Sequence, residues 1–236
     1  MVADVVVAPA KLTRSLRVVG VRPDGFHLID AEMVTLDLAD TLTFSAGDGL
    51  QLRAAGPDVS AGDDNLVAKA LRLAGRTAHV VVDKTIPSGA GLGGGSADAA
   101  AVLRWAGFDD LVAAAGLGAD VAFCLVGGRA RVTGIGEVVE PLPFAPLTFT
   151  LLTPPVHCST PAVYRRWDEL GGPTAVGPND LEPAALAVAP ELASHRDRLG
   201  GLTGQTPILA GSGSTWFVEG AYEGDGLVVA RTVPPA

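Results

Sequence analysis

Five of the seven residues from Gly89 to Gly95 are glycine, within the run Pro87-Ser88-Gly89-Ala90-Gly91-Leu92-Gly93-Gly94-Gly95-Ser96. A backbone so short of Cβ atoms can take positive φ and let a ligand touch its main chain. Ala78-His79-Val80-Val81-Val82-Asp83 before it reads as a strand, and Ala97-Asp98-Ala99-Ala100-Ala101-Val102-Leu103 after it reads as a helix. Ser96 suits the N-cap of that helix. A glycine loop feeding a helix N-terminus offers unpaired amides and the positive end of a dipole, which makes an anion site, phosphate above all. A flexible linker would lack the flanking strand and helix. No Lys precedes Ser96, so the pattern G-x-x-x-x-G-K-[ST] fails. Gly89, Gly91 and Gly94 satisfy G-x-G-x-x-G, but Lys84-Thr85-Ile86-Pro87-Ser88 separates them from the strand, unlike a dinucleotide fingerprint.

The rest of the chain can build a core around this loop. Hydrophobic residues make up 48% of 236 residues, and the 30 Gly and 17 Pro are spread among apolar runs, as in a globular chain. That length allows one large domain or two modest ones. A net charge of −9 argues against a nucleic-acid surface, though a local basic pocket for phosphates is compatible with it. Cys124 and Cys158 are too few for a disulfide framework or a zinc ribbon, and Cys124 sits in an apolar run as a core residue. The start Met1-Val2-Ala3-Asp4 lacks a basic leader, and no apolar run approaches a membrane span, so the expected setting is the cytoplasm.

Hydrophobic patterning predicts strands at Val2–Ala8, Leu16–Gly20 and Met33–Leu38, the last two joined by a turn at Val21–Gly25. Thr41–Ser45 and Leu50–Arg53 read as a hairpin around Gly47-Asp48-Gly49. Helices are expected at Asn65–Leu73 and Asp109–Ala115, and a strand at Arg129–Gly134. Pro141–Pro146 reads as a domain linker. Beyond it come a strand at Phe149–Thr153, helices at Pro161–Leu170 and Pro183–Arg198, and strands at Thr215–Glu219 and Leu227–Thr232. Strands and helices alternate without a regular βαβ period, so the fold class is α+β, two layers in each half.

The glycine segment resembles the central P-x-x-x-G-L-G-[SG]-S motif of the GHMP kinases, a family of small-molecule kinases. Ala8-Pro9-Ala10-Lys11-Leu12 is similar to the family's first motif, and Leu209-Ala210-Gly211-Ser212-Gly213-Ser214-Thr215 to its third. The resemblance implies a two-domain architecture with a cleft between residues 1–143 and 144–236. It implies ATP as phosphoryl donor with Mg²⁺, and small-molecule partners only. Val19-Gly20-Val21-Arg22-Pro23-Asp24-Gly25-Phe26-His27, with Asp64-Asn65-Leu66-Val67, Leu117-Gly118-Ala119-Asp120 and Pro178-Asn179-Asp180-Leu181, resembles the branch that phosphorylates a cytidine-diphosphate-linked sugar alcohol in non-mevalonate isoprenoid synthesis. Another alcohol, as in mevalonate or homoserine kinases, and a non-catalytic nucleotide binder on the same fold remain the alternatives.

The resemblance assigns Asp120 as the base and Lys11 as the cation that orients the hydroxyl. It assigns Asn65, Lys84, Pro87, Gly89, Gly91, Leu92, Gly93, Gly94, Gly95 and Ser96 to ATP, with Ser96 as a possible neighbour of Mg²⁺. Thr13, Phe26, His27 and Asp120 fall to the acceptor, Phe26 stacking on the base and His27 bonding its edge. Taken alone, Asp120 is as well read as a turn acid, Lys11 and Lys84 as solvated strand-end charges, Phe26 as core and His27 as surface. Two departures stand out. Thr13 occupies the position of an Asn in the family pattern, and Arg14 a position that is commonly apolar. The chain is also shorter than is usual for the family.

Overall fold

The computed structural model describes residues 3–54 and 60–235; Val2, at the start of the first expected strand, lies outside them. Two long antiparallel strands form the spine, β1 (Asp4–Val21) and β2 (His27–Ser45), paired from Asp4↔Phe44 to Val21↔His27. Each absorbs two of the expected strands. The polar break at Thr13-Arg14-Ser15 interrupts the hydrophobic pattern but not the strand, because the register shift between Thr13 and Ser15 takes it up as a bulge. A second shift, between Pro9 and Lys11, falls where proline has no amide to donate.

The expected hairpin of Thr41–Ser45 with Leu50–Arg53 does not form. β3 (Gly49–Arg53) pairs in parallel with β4 (His79–Asp83), and β4 lies between β3 and β2. Val80 and Val82 of β4 are fully buried and suit an interior strand, whereas Gln51 and Arg53 of β3 are exposed and suit an edge. Helix α1 (Leu66–Leu73) belongs to the crossover between them. At the other end of β2 follow β5 (Arg129–Gly134) and β6 (Val138–Pro141). The expected linker therefore starts inside a strand, at Pro141.

Helix α2 (Gly94–Ala106) packs on this sheet between α1 and α4 (Val121–Val126), and α3 (Leu111–Ala115) packs against α4. Seven consecutive α2 residues, Ala97 to Leu103, are buried, so the helix is enclosed on every side; its alanines permit that close approach. Cys124 is in this core as expected, and burial pushes its thiol up to about 12.

The second sheet is antiparallel, in the order β10-β7-β9-β8: β7 (Thr148–Leu152), β8 (Ile208–Leu209), β9 (Trp216–Glu219) and β10 (Leu227–Arg231). Helix α5 (Thr160–Glu169) follows β7. The single helix expected at Pro183–Arg198 is two, α6 (Glu182–Val188) and α7 (Leu192–Thr203). Pro190 lies at the break, where it can neither donate to nor fit within a continuing helix. The two sheets meet where β10 lies against β2: the Arg231 amide donates to Asp37 at 2.8 Å, and the Val233 amide to the Thr35 carbonyl at 3.0 Å. Arg14, the unexpected charge, reaches Glu32 on β2 and Glu219 on β9. Asp180 accepts from the Val18 amide at 3.0 Å and from Arg17 at 2.7 Å. No described helix is long and apolar enough to cross a membrane.

Candidate active site

The two glycine-bearing segments meet each other, and the first of them is joined to the Ala8–Leu12 stretch of β1. The Lys11 amide donates to the Leu92 carbonyl at 3.0 Å, and the Thr215 amide to the Ala90 carbonyl at 3.1 Å. Gly91 has φ +76°, and a Cβ there would lie 2.6 Å from the Ala210 carbonyl oxygen and 2.8 Å from that of Gly213. Only glycine lets the two loops touch. Buried Asn179 ties down the second segment, its amide donating to the Leu209 and Gly211 carbonyls at 2.8 and 2.7 Å. The motif that contains Asn179 is visible in sequence, but its role as a strut is not.

Gly93, with φ +70°, is the N-cap of α2. This corrects the expectation for Ser96, which lies inside the first turn: the left-handed cap conformation selects glycine, and the helix begins three residues early. The first amides of α2 have no partner within the helix. They open into a cavity of about 450 Å³ bordered by Asn65, Lys84, Pro87, Gly89, Gly91, Gly93, Gly94, Gly95 and Ser96. Leu92 does not border it; the side chain is buried, and its carbonyl serves Lys11. Asn65 caps α1 by accepting from the Val67 amide at 2.9 Å.

Lys84 is not a solvated charge. Its ammonium lies 2.5 Å from Asp40 and 2.6 Å from Asp98, all three side chains being buried. Burial works against that charge, and the two carboxylates outweigh it, so the Lys84 pKa lies above the usual lysine value. Burial pushes the Asp98 carboxyl up to about 7 against the pull of Lys84, and Asp40 adds to the rise. Asp40 also accepts from the Thr85 and Ile86 amides at 2.5 and 2.8 Å, fixing the entrance to the glycine loop. No sequence signal marked Asp40, which lies 44 residues from Lys84.

A second cavity, of about 530 Å³, contains the other candidates: Lys11, Thr13, Phe26, His27 and Asp120, with Ile29 and Met33 from β2 and Tyr164 and Asp168 from α5. Phe26 is not core; it is 55% exposed, with the Arg22 guanidinium 5.9 Å from its ring centre. His27 is wedged against Tyr164 and Trp167. The α5 residues facing it were not assigned roles from sequence, because 137 residues separate His27 from Tyr164.

The two cavities share Gly91, Asp120 and Thr160. At that junction the Lys11 ammonium lies 3.1 Å from Asp120 Oδ2 and donates to Thr13 Oγ1 at 3.1 Å. Lys11 is 4% exposed, while Asp120 opens to the cleft. A carboxylate, a group able to accept a proton, and a cation, a group able to steady an alkoxide, thus sit where the two chambers join.

Residues 65–128 match the GHMP kinases N terminal domain family. The 4-diphosphocytidyl-2-C-methyl-D-erythritol kinase of Paracoccus denitrificans is 40% identical over 89% of this chain and 84% of its own length. The chain belongs to that kinase family. The Rhodopseudomonas palustris member is 38% identical over 89% of this chain and 86% of its own length. A crystal structure of 4-(cytidine 5'-diphospho)-2C-methyl-D-erythritol kinase superposes with a TM-score of 0.77 at 32% identity, covering 97% of this chain and 98% of that one. Homoserine kinase from Cytophaga hutchinsonii, at a TM-score of 0.66 and 17% identity, shares the fold.

Proposed function

We propose that the two chambers divide the family's reaction between them: ATP lies along the glycine loop, and 4-diphosphocytidyl-2-C-methyl-D-erythritol occupies the chamber bordered by Phe26 and His27. The γ-phosphoryl group passes to a hydroxyl of the acceptor where the chambers meet, a step of non-mevalonate isoprenoid synthesis. The observation that carries this reading is the pairing, at the junction, of buried Lys11 with Asp120, which opens to the cleft.

Phosphoryl transfer depends mainly on positioning and on neutralising charge. The amides of Gly94, Gly95 and Ser96 and the α2 dipole take the polyphosphate. Lys11, steadied by Thr13, holds the acceptor oxygen, and Asp120 takes its proton. Thr13 has a shorter side chain than the family's Asn, and its hydroxyl serves the lysine. Among the described residues no three His, Cys, Asp or Glu side chains converge on a metal site. Nucleotide-bound Mg²⁺ needs only one or two protein ligands, since phosphates and water complete its shell. The Ser96 hydroxyl and Asp98, whose Oδ1 is buried without a partner, border the nucleotide chamber and fit that requirement. When bound, the ion would neutralise charge on the phosphates. On this reading residues 1–143 form a nucleotide-binding domain and 144–236 the domain that closes the cleft. The ligands are small and charged, which supports a cytoplasmic enzyme.

Phe26→Ala tests the assignment of the chambers. Loss of a base stack is worth roughly 1–3 kcal/mol, so the KM for the cytidine substrate should rise by about 5–150-fold while that for ATP stays nearly constant. A coupled assay read at varied concentrations of each ligand decides it. An equal rise for ATP would remove Phe26 from the acceptor chamber, and turnover of mevalonate or homoserine alone would change the acceptor.

A further inference from the structure

His27 approaches the acceptor chamber with one ring nitrogen already committed. Its Nε2 lies 2.8 Å from Asp168 Oδ1, on α5. A carboxylate only accepts, so Nε2 carries the proton and donates it. Tyr164, with its ring centre 4.7 Å away, and Trp167, edge-on at 5.6 Å, brace the imidazole in that orientation. Among the described residues Nδ1 has no hydrogen-bond partner. In the neutral ring it is an acceptor.

We propose that Asp168 is a positioning residue that makes the enzyme read cytosine rather than uracil, by holding His27 in the tautomer whose Nδ1 accepts. This rests on the assignment of the pyrimidine to the Phe26–His27 wall. Cytosine presents an exocyclic amine, a donor, where uracil presents a carbonyl oxygen, an acceptor. A fixed Nδ1 acceptor pairs with the first and confronts the second with a lone pair. Selectivity then comes from a repulsive element as well as an attractive one. Asp168 touches the histidine on the side away from Nδ1, and its own side chain is 48% exposed, so its removal leaves no buried cavity.

The experiment compares the diphosphocytidyl substrate with its diphosphouridyl counterpart in the wild type, Asp168→Ala and His27→Ala, and records ¹⁵N spectra of the His27 ring. The wild-type Nδ1 signal should be that of an accepting nitrogen, with the proton on Nε2 beside Asp168. Asp168→Ala should lower the ratio of cytidine to uridine kcat/KM by roughly 10–100-fold, the scale of one base-edge contact. That change should lie mainly in KM, with kcat at saturating cytidine substrate largely kept, and the Nδ1 signal should shift towards the protonated form. Equal losses for both substrates, or a protonated Nδ1 in the wild type, would overturn the role of Asp168 while leaving the chamber assignment standing. Unchanged KM for the cytidine substrate in folded His27→Ala would overturn the chamber assignment itself, and this role with it.

Discussion

Asp120→Asn is expected to slow single-turnover phosphoryl transfer by about 10²–10⁴-fold, the usual contribution of a general base, with affinity for both ligands preserved. The amide keeps the shape of the carboxylate at the junction but cannot take up the acceptor's proton. A loss at the low end would mean that deprotonation comes late, as in a largely dissociative transfer. Lys11→Met should also lower the rate. Because Lys11 and Asp120 are in contact at 3.1 Å, the double variant should lose less than the product of the two single effects. Rapid-quench measurements give the rates, and calorimetry gives the affinities. A folded Asp120→Asn enzyme with near wild-type transfer would return Asp120 to the turn before α4.

Gly93→Val should damage binding and chemistry together. Gly93 holds φ +70° at the start of α2, a conformation that a β-branched residue strongly resists. An added Cβ would also stand 2.8 Å from Lys11 Cγ and 3.1 Å from Lys11 Cε, so the lysine must move before any phosphate does. Displacing such a group by about 1 Å can cost on the order of 10²-fold in rate. KM for ATP should rise and kcat should fall in the same variant. Gly107→Ala is the control: Gly107 also has positive φ, but it ends α2 away from the cleft, and no atom lies within 4 Å of an added Cβ. Gly107→Ala should lower thermal stability and leave both constants near wild type. If Gly93→Val changed stability alone, the loop would have no part in the site.

The glycine loop was legible in sequence because its chemistry is local: strand, loop and helix follow one another within thirty residues. Strand pairing was not. The two expected strands on either side of Gly47-Asp48-Gly49 suggested a hairpin, and nothing in their own residues reveals that β4 separates them. The contrast lies between β4, whose Val80 and Val82 are fully buried, and β3, whose Gln51 and Arg53 are exposed as suits an edge. Long-range polar partners were equally hidden. Asp40 under Lys84, Asn179 under the second glycine loop and Asp168 behind His27 each act across dozens of residues. The break between α6 and α7 was readable from Pro190 alone, and the single helix expected at Pro183–Arg198 ran through it. Lys11 and Asp120 carried no independent signal; they became candidates through their motifs, and the fold places them in contact.

The sharing of Asp120 by both chambers also bears on stereochemistry. If Asp120 only removes a proton, the phosphoryl group crosses the junction once, with both ligands bound, and the configuration at phosphorus inverts. If instead its carboxylate attacked phosphorus first, two displacements would follow and the configuration would be retained. ATP made chiral at the γ-phosphorus with oxygen isotopes separates these routes. Inversion, together with initial-rate patterns that intersect rather than run parallel, is the outcome expected of a single junction open to both sides.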